Sequence, residues 1–431
     1  MFCGSCTSME SYWSLLLVLL LVLASALSAP AADEECQQDV NCFLPNCLCG
    51  STEPPGGLSL EDVPQFVVLS YDDAITTTNF DFYLDFKDFV NPNECRISMT
   101  FFVSHLYCDY SKVNELHRLG HEIALHSVTS ASLPVATAVL TKYNSSIIAI
   151  TINSQKKFHF PFLIIFSAFP LYKSCLQGWR APFLEVGGDE MFSAVRDLNL
   201  LYDCSWPTLK YTNWYGDRPE GAIWPYTLDF PSIQDCQVGR CPTERFNGTW
   251  VLPMVDLKDN TGEGCAMLDT CRSVDDELLT SADAVENFLR RNFNLNYYTN
   301  KAPFGLYVHH SWFYENQIDN TEARKDGYTR FLQWLSEKDD VYVVSLDRML
   351  AWVRNPVPLS EAGTSDALSC TGYDPDSNCL DPIIFDFFQD DNLPTTETMI
   401  RMGSCTRPQP DYYPWIYNPY GDQDIPIEAI P

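Results

Sequence analysis

The sequence predicts an α/β fold in which parallel strands form a sheet or a barrel, and three observations support this. From Phe66 onward, short β-branched or aromatic runs alternate with polar stretches of helical period. Asp72, His126 and His309 each stand at the end of such a run, which is where α/β folds place their active sites. The 431 residues are also enough for one large barrel or for two or three domains.

The individual elements follow from the same patterns. We predict strands at residues 66–71, 98–103, 122–127, 305–310 and 341–345. Helical period predicts helices at residues 110–119, 189–198, 281–293 and 321–336. The stretch GWRAPFLEVGGDEMF, residues 178–192, is typical of a strand end that opens into a helix. Because strand and helix alternate in this order, we expect the strands to run parallel.

The chain begins with a candidate secretion signal at residues 1–28. Residues 13–26 are apolar and end in small residues that fit a signal-peptidase site. This length favours cleavage over membrane spanning, so we expect a secreted, extracellular protein. An uncleaved anchor is the alternative, because Glu10 and no Lys or Arg precedes the apolar run.

Composition divides the remaining chain into three parts. Residues 29–62 form a short Cys-rich segment, residues 63–355 the main domain, and residues 356–431 a Cys/Pro-rich tail. The tail has no long periodic segment, so we expect an irregular extension tied by disulfides. Four cysteines of the first segment could bind zinc, but their spacing matches no paired CxxC pattern, and disulfides are the better prediction in an exported chain.

Charge and cysteine content restrict partners and compartment. The net charge of -30 repels phosphate backbones and anionic lipid surfaces. We therefore expect no nucleic-acid partner and no stable membrane insertion after signal cleavage; a monomer is also expected. Cys3 and Cys6 would leave with the signal, and fifteen of the 17 cysteines remain. This odd number predicts one unpaired or misplaced cysteine. The acceptor sequons at residues 144–146 and 247–249 predict a glycoprotein.

The candidate catalytic groups are charged residues at the predicted strand ends. Asp72 and Asp73 stand side by side, which is costly unless a cation or an arginine separates their charges; a solvated loop or a helix cap is the alternative. Arg180 could form a bidentate pair with a carboxylate, or an ordinary structural ion pair. His309 is suited to protonate a leaving amine, or it is a hydrogen-bonded core histidine.

Several motifs in order resemble the polysaccharide deacetylases of carbohydrate esterase family 4, which share the NodB-homology domain. The motifs are YDD (71–73), HS (126–127), RAPF (180–183), YDCS (202–205) and HHSW (309–312). Further stretches, such as CFLPNCLCGSTEPPGGL (42–58) and CPTERFNGTWVLPMVDL (241–257), are similar to insect chitin deacetylases of the short midgut type, which lack a chitin-binding module. The resemblance covers residues 36–130 and 178–360. It implies a distorted (β/α) barrel that hydrolyses N-acetyl groups of chitin or chitooligosaccharides.

The resemblance also implies roles for individual residues. Asp72 is similar to the general base, with Arg180 as its tether, and His309 to the general acid. Asp73 and His126 correspond to ligands of a divalent metal, zinc being the first expectation. The substrate-binding positions are Phe183, whose backbone N–H would help hold the oxyanion, Trp312, which would line the acetyl-methyl pocket, and Asp203. His310 has no role in this pattern.

The chain departs from the family pattern where a second metal histidine is expected. Ser130 stands there, and a neutral hydroxyl is a poor zinc ligand. The segment from Ile123 to Leu184 contains no Asp or Glu, although about ten would be expected at the density of the other residues. Cys175 lies in this stretch, and removing it leaves an even fourteen cysteines. We call residues 131–177 the insert.

Three interpretations of the insert remain open. It could be a gene-model or splice artefact, so that the true protein has its second histidine. It could be a real variant that has lost metal binding and acts as a chitin-binding pseudoenzyme. Alternatively, His159 within the insert could supply the missing ligand. A purely structural, disulfide-rich extracellular protein is the rival from another functional class.

Overall fold

A computed structural model describes residues 35–126, 176–208, 221–272, 281–314, 322–370, 381–388, 398–405 and 410–414. The chain divides into two compact units, Met1–Gln37 and Gln38–Pro431. Only residues 35–37 of the first unit are described. The predicted signal, Ser130, His159, Cys175 and the sequon at residues 144–146 lie outside the described residues.

The described strands of the second unit have between two and eight residues. In chain order they are β1 (Gln65–Asp72), β2 (Thr100–Val103), β3 (Glu122–Leu125), β4 (Gly178–Trp179), β5 (Val186–Gly187), β6 (Tyr202–Asp203), β7 (Tyr226–Leu228), β8 (Gly239–Arg240), β9 (Phe246–Val251), β10 (Leu257–Lys258), β11 (Gly264–Cys265), β12 (Phe304–His309), β13 (Val341–Val343), β14 (Ile383–Phe388) and β15 (Met399–Ser404).

The helices lie between these strands. They are α1 (Thr77–Leu84), α2 (Tyr110–Arg118), α3 (Gly188–Asp197), α4 (Ala282–Tyr297), α5 (Ala323–Leu335), α6 (Leu346–Arg354) and α7 (Leu359–Ala362). Side chains that accept hydrogen bonds from free N–H groups define three of the starts. Thr76 and Asn79 form a capping box on α1, and Asp109 and Ser281 cap α2 and α4.

Nine strands form one curled sheet in the order β12-β1-β2-β3-β4-β6-β9-β7, and β13 pairs with the first residues of β1. All neighbours from β12 to β9 pair in parallel, and only β7 is antiparallel to β9. This is the distorted (β/α) barrel that the sequence predicted. The carboxyl ends of the parallel strands share one edge, which we call the rim.

The two faces of β1 show how the core is divided. Val67, Leu69 and Tyr71 join the cluster that packs under the helices, whereas Phe66 and Val68 join the cluster inside the curled sheet. This follows from the two-residue period of a strand. The run is buried along its whole length, as expected for a parallel strand covered on both faces. Asp72, the last residue of β1, therefore lies at the rim on the inward face of the sheet.

All five predicted strands and all four predicted helices are present, with ends shifted by a few residues. The prediction missed the strands β5 to β11 and the helices α1, α6 and α7, whereas β4 is the strand end expected at the start of residues 178–192. The tail, for which no element was predicted, contributes the hairpin β14–β15. Among the described residues no helix is long and apolar enough to cross a membrane.

Disulfides join several loops of the second unit. Cys42–Cys47, Cys236–Cys241 and Cys265–Cys271 close short loops, whereas Cys95–Cys370 connects positions 275 residues apart. The Cys42–Cys47 bond supports the disulfide interpretation of the N-terminal cysteines. Cys108 and Cys204 are free and buried within the described part of the chain.

Candidate active site

Asp72, the last residue of β1, is a buried carboxylate held by Arg180. The guanidinium Nη1 donates to Asp72 Oδ1 over 2.6 Å, and the aspartate is only 3% exposed. Burial alone raises the pKa of Asp72, but the nearby Arg180, His126 and His309 outweigh it, so its pKa lies below the ordinary value. The carboxylate is therefore ionised at neutral pH and can act as a base.

Arg180 is enclosed on every side by polar atoms and rings. Its Nε donates to the Cys204 carbonyl over 2.9 Å, Nη1 also donates to Ser70 Oγ over 2.8 Å, and Nη2 contacts Cys204 Sγ at 3.2 Å. The guanidinium carbon lies 4.0 Å from the ring centre of Phe102 and 4.9 Å from that of Tyr307. A fully buried cation with these partners has one orientation, and it fixes the direction of Asp72.

His126 lies directly after β3, and a carbonyl group orients its ring. The Nδ1 atom is 3.0 Å from the Arg180 carbonyl oxygen. Since that oxygen can only accept, Nδ1 carries the proton and the lone pair is on Nε2. Nε2 lies 4.0 Å from Asp72 Oδ2. This tautomer suits a metal ligand, because metal-binding histidines usually donate their other N–H to a carbonyl or carboxylate group.

Asp73 follows Asp72 in a left-handed backbone conformation with φ of 80°, which is unfavourable for an aspartate by about 1 kcal/mol. Its Oδ1 accepts from Ser104 Oγ over 3.5 Å. The oxygen of Asp73 and the nitrogen of His126 are both donors that zinc accepts. Within the described ranges no third His, Cys, Asp or Glu joins these two residues in one ligand cluster.

His309, the last residue of β12, lies beside Asp72 in the β1–β12 ladder and is paired with Asp269. Its Nδ1 lies 2.7 Å from Asp269 Oδ2. Burial lowers the pKa of His309, but the hydrogen bond to Asp269 and the charges of Asp72, Asp269 and Asp73 raise it to about 9. His309 is therefore protonated at neutral pH and can act as an acid.

Sequence reasoning missed Asp269 altogether. The residue lies in a short turn, Leu268–Thr270, inside the loop closed by the Cys265–Cys271 disulfide. An acidic residue in a small disulfide loop was the only signal available. Its pairing with a residue 40 positions away cannot be read from local sequence.

His310 is chemically different from its neighbour His309. Its ring packs edge-on against Phe82 at 5.1 Å and lies 4.9 Å from the ring of Tyr314. Burial and the charge of Lys325 lower the pKa of His310 to about 4. His310 is neutral at physiological pH, so of the two histidines only His309 can donate a proton there.

Comparison with known proteins identifies the family. No family model matches the chain. Chitin deacetylase 8 of Bombyx mori is 37% identical over 347 residues, which cover 80% of this chain and 85% of the relative. Chitin deacetylase 1 of the same organism is 32% identical over 405 residues, covering 88% of this chain and 68% of the relative. The chain belongs to the insect chitin deacetylases.

The remaining predicted residues lie in different environments. Phe183 is 60% exposed and lies three residues after Arg180. Trp312 is 5% exposed, and the Arg324 guanidinium contacts both its carbonyl oxygen and its ring. Asp203 is completely buried and accepts hydrogen bonds from Ser205.

Proposed function

We propose that the chain is a secreted, metal-dependent chitin deacetylase that hydrolyses N-acetyl groups of N-acetylglucosamine units. One observation carries this proposal. The rim brings together a carboxylate held ionised by Arg180 and an imidazole held protonated by Asp269. Two groups whose pKa values are moved in opposite directions can serve as base and acid in the same reaction. The similarity to enzymes named chitin deacetylase suggests chitin or chitooligosaccharides as the substrate.

Amide hydrolysis needs one proton to be removed and another to be supplied. Asp72 takes a proton from the attacking water as the C–O bond forms, and Arg180 keeps the carboxylate in position. His309 gives its proton to the leaving nitrogen as the C–N bond breaks, and Asp269 stabilises the charged imidazole beforehand. The products are acetate and a free amine. A positioned base or acid typically raises the reaction rate by about 10²- to 10⁴-fold.

Asp73 and His126 are the residues that would hold a divalent metal, with zinc favoured by the mixed oxygen and nitrogen donors. Such an ion polarises the amide carbonyl and lowers the pKa of water. The Phe183 N–H is a candidate donor to the developing oxyanion, worth about 3 kcal/mol in comparable sites. Trp312 is the candidate wall of the acetyl-methyl pocket, and the contact with Arg324 limits its movement.

Secretion is supported by the disulfides and by a glycosylation sequon whose Asn247 is exposed. Along the β7–β9 ladder, Thr227 pairs with Trp250 but Leu228 pairs with Phe246. Residues 247–249 therefore form a bulge in β9, in which Asn247 is exposed, Gly248 has φ of 72° and Thr249 is buried. This bulge lies at the start of β9, away from the rim. Digestion of the secreted protein with a glycan-removing amidase should convert Asn247 to Asp. Mass spectrometry should detect this conversion in the parent protein and not in Asn247→Gln.

The direct test of the function is acetate release from a chitin oligomer, together with zinc content by elemental analysis. Asp72→Asn should abolish acetate release and leave sugar binding intact. Glu122→Gln is the matched control, because Glu122 is a buried carboxylate at the start of β3, far from the rim. Burial and the charge of Asp347 raise the pKa of Glu122 well above its ordinary value, so glutamine is a close replacement. A purely structural protein would show no acetate release with any variant.

The sequence at Ser130 supports a second candidate function, a chitin-binding pseudoenzyme. That protein would bind the oligomer with neither zinc nor acetate release. Sequencing the transcript across codons 125 to 185 separates this candidate from an artefact. A contiguous native transcript that encodes Ser130 would exclude the artefact interpretation.

A further inference from the structure

The segment that follows Arg180 contains two consecutive left-handed residues. Phe183 has φ of 55° and Leu184 φ of 57°. Neither residue is a glycine, so each costs about 1 to 2 kcal/mol in this conformation. Such a conformation persists only where the surrounding structure fixes it. The turn carries the backbone N–H of Phe183, and it needs an anchor.

Ala181 is the anchor, because both of its backbone groups are engaged. Its N–H donates to Ser205 Oγ over 2.8 Å, and its carbonyl accepts from Leu184 N–H over 3.0 Å. Ala181 is completely buried. An unpaired N–H at this position would be costly, so the hydroxyl of Ser205 is the group that holds the start of the turn.

The Ser205 hydroxyl is itself fixed in orientation by Asp203. Ser205 Oγ donates to Asp203 Oδ1 over 2.7 Å, and Ser205 N–H donates to Asp203 Oδ2 over 3.2 Å. A hydroxyl has one proton. With that proton given to Asp203, the oxygen lone pair is directed at Ala181 N–H. Asp203, Ser205 and Ala181 are all 0% exposed, so no water competes for these bonds.

Cys204, between the two polar residues, accepts from Arg180 through its carbonyl oxygen. The last residue of β6, Asp203, and the two residues that follow it therefore hold the two residues that follow β4, Arg180 and Ala181. We infer that Asp203 and Ser205 are positioning residues, which fix Ala181 and hence both the arginine that tethers the base and the turn that presents Phe183. The effect of these two residues on catalysis rests on the proposed function, whereas their effect on the position of Ala181 does not. Asp203 therefore has an indirect role in place of direct contact with substrate.

Hydrogen exchange measured by mass spectrometry on the full chain tests the anchor without requiring activity. Ser205→Ala removes the acceptor, and the peptide covering residues 178–185 should exchange about fivefold faster, as expected for the loss of one buried hydrogen bond. Asp203→Ala should act in the same direction. Asp203→Asn keeps one acceptor oxygen for the Ser205 hydroxyl but turns its NH2 toward the Ser205 N–H, so its exchange should lie between those of the parent protein and Asp203→Ala.

Ser98→Ala is the matched control. Ser98 is 2% exposed and its hydroxyl also joins two segments, donating to Ser345 Oγ and accepting from Ser345 N–H. It lies before β2, at the end of the sheet opposite the rim. Its loss should leave exchange in residues 178–185 unchanged. Exchange in the β1 peptide reports general destabilisation. If Ser205→Ala or Asp203→Ala speeds exchange equally in both peptides, Asp203→Asn replaces it in the comparison with the parent protein.

Acetate release gives the catalytic readout. Ser205→Ala should lower kcat about tenfold with KM changed less than twofold, and Ser98→Ala should change neither. Unchanged exchange at residues 178–185 in both Ser205→Ala and Asp203→Ala would overturn the inference. A parent chain that releases no acetate refutes the proposed function alone, because the exchange measurements still decide whether the anchor exists.

Discussion

Replacing Asp269 with Asn tests the charge arrangement of the site most directly. The Asp269 carboxylate is 2.7 Å from His309 Nδ1, and the two side chains are 23% and 32% exposed. For a pair partly open to solvent, the attraction is about 1 to 3 kcal/mol. Since a change of one in pKa corresponds to about 1.4 kcal/mol, the substitution should lower the pKa of His309 by about 1 to 2. Asp72 and Asp73 remain and continue to raise it.

The assay is a proton NMR titration of the histidine ring signals. The chain has 7 histidines, so the His309 signal can be assigned by its loss in His309→Gln. The parent protein should titrate at a pKa of about 9 at this residue, and Asp269→Asn at a lower pH. If acetate release is measurable, the alkaline limb of its pH profile should move by the same amount.

The same pair predicts how stability depends on pH. The folded-state pKa of His309 lies above its ordinary value, so the pair stabilises the fold fully below about pH 6.5, and this contribution is lost as pH rises to about 9. Asp269→Asn should therefore lower the free energy of unfolding by about 1 to 2 kcal/mol at pH 6 and hardly at all at pH 10. An equal loss at both pH values, or a His309 signal that does not move, would refute the assigned charge state.

Three further predictions follow from the contacts described. His309→Gln should abolish acetate release, whereas His310→Phe should keep most of it, since the neutral His310 ring acts only in packing; equal losses in a rate assay would contradict this. Arg180→Met should lower the free energy of unfolding in urea by about 3 to 5 kcal/mol, because Asp72 is left buried and unpaired; a loss below 1 kcal/mol would argue against the pair. Replacing both Cys95 and Cys370 with Ser should lower the free energy of unfolding by about 4 to 5 kcal/mol, since the bond joins positions 275 residues apart. Thermal unfolding measures this loss, and an unchanged midpoint would contradict the prediction.

Local patterns were sufficient for β1, β12 and the rim. They were insufficient for most of the short strands and for β9, whose six residues include Asn247 and Gly248. β1 and β12 have six or more residues with strong β propensity, and their carboxyl ends locate Asp72 and His309 without any structure. β4 and β6 have only two residues each. They are strands because their neighbours on both sides provide ladder partners, and a run of two residues has no period to detect.

The resemblance predicted one pair of the candidate site, Asp72 with Arg180, and the structure contains that contact. It did not predict the partner of His309. Asp269 lies in a short turn whose position depends on tertiary packing. The charge states of His309 and His310 illustrate this dependence. The two residues are adjacent and identical in type, yet an aspartate raises the pKa of one while aromatic burial and a lysine lower that of the other.

The consequence of Ser130 can now be separated from the rest of the site. Asp72 is held by Arg180, His309 by Asp269, and His126 by the Arg180 carbonyl. All of these partners are protein atoms, so the orientation of base, acid and first histidine requires no metal. Under the proposed function, a histidine at position 130 would complete a metal-ligand set, and Ser130 would weaken metal binding. The Asp72–Arg180 and His309–Asp269 pairs are formed by residues other than Ser130. We therefore expect Ser130 to lower the zinc content of the protein while the pKa of His309 stays raised.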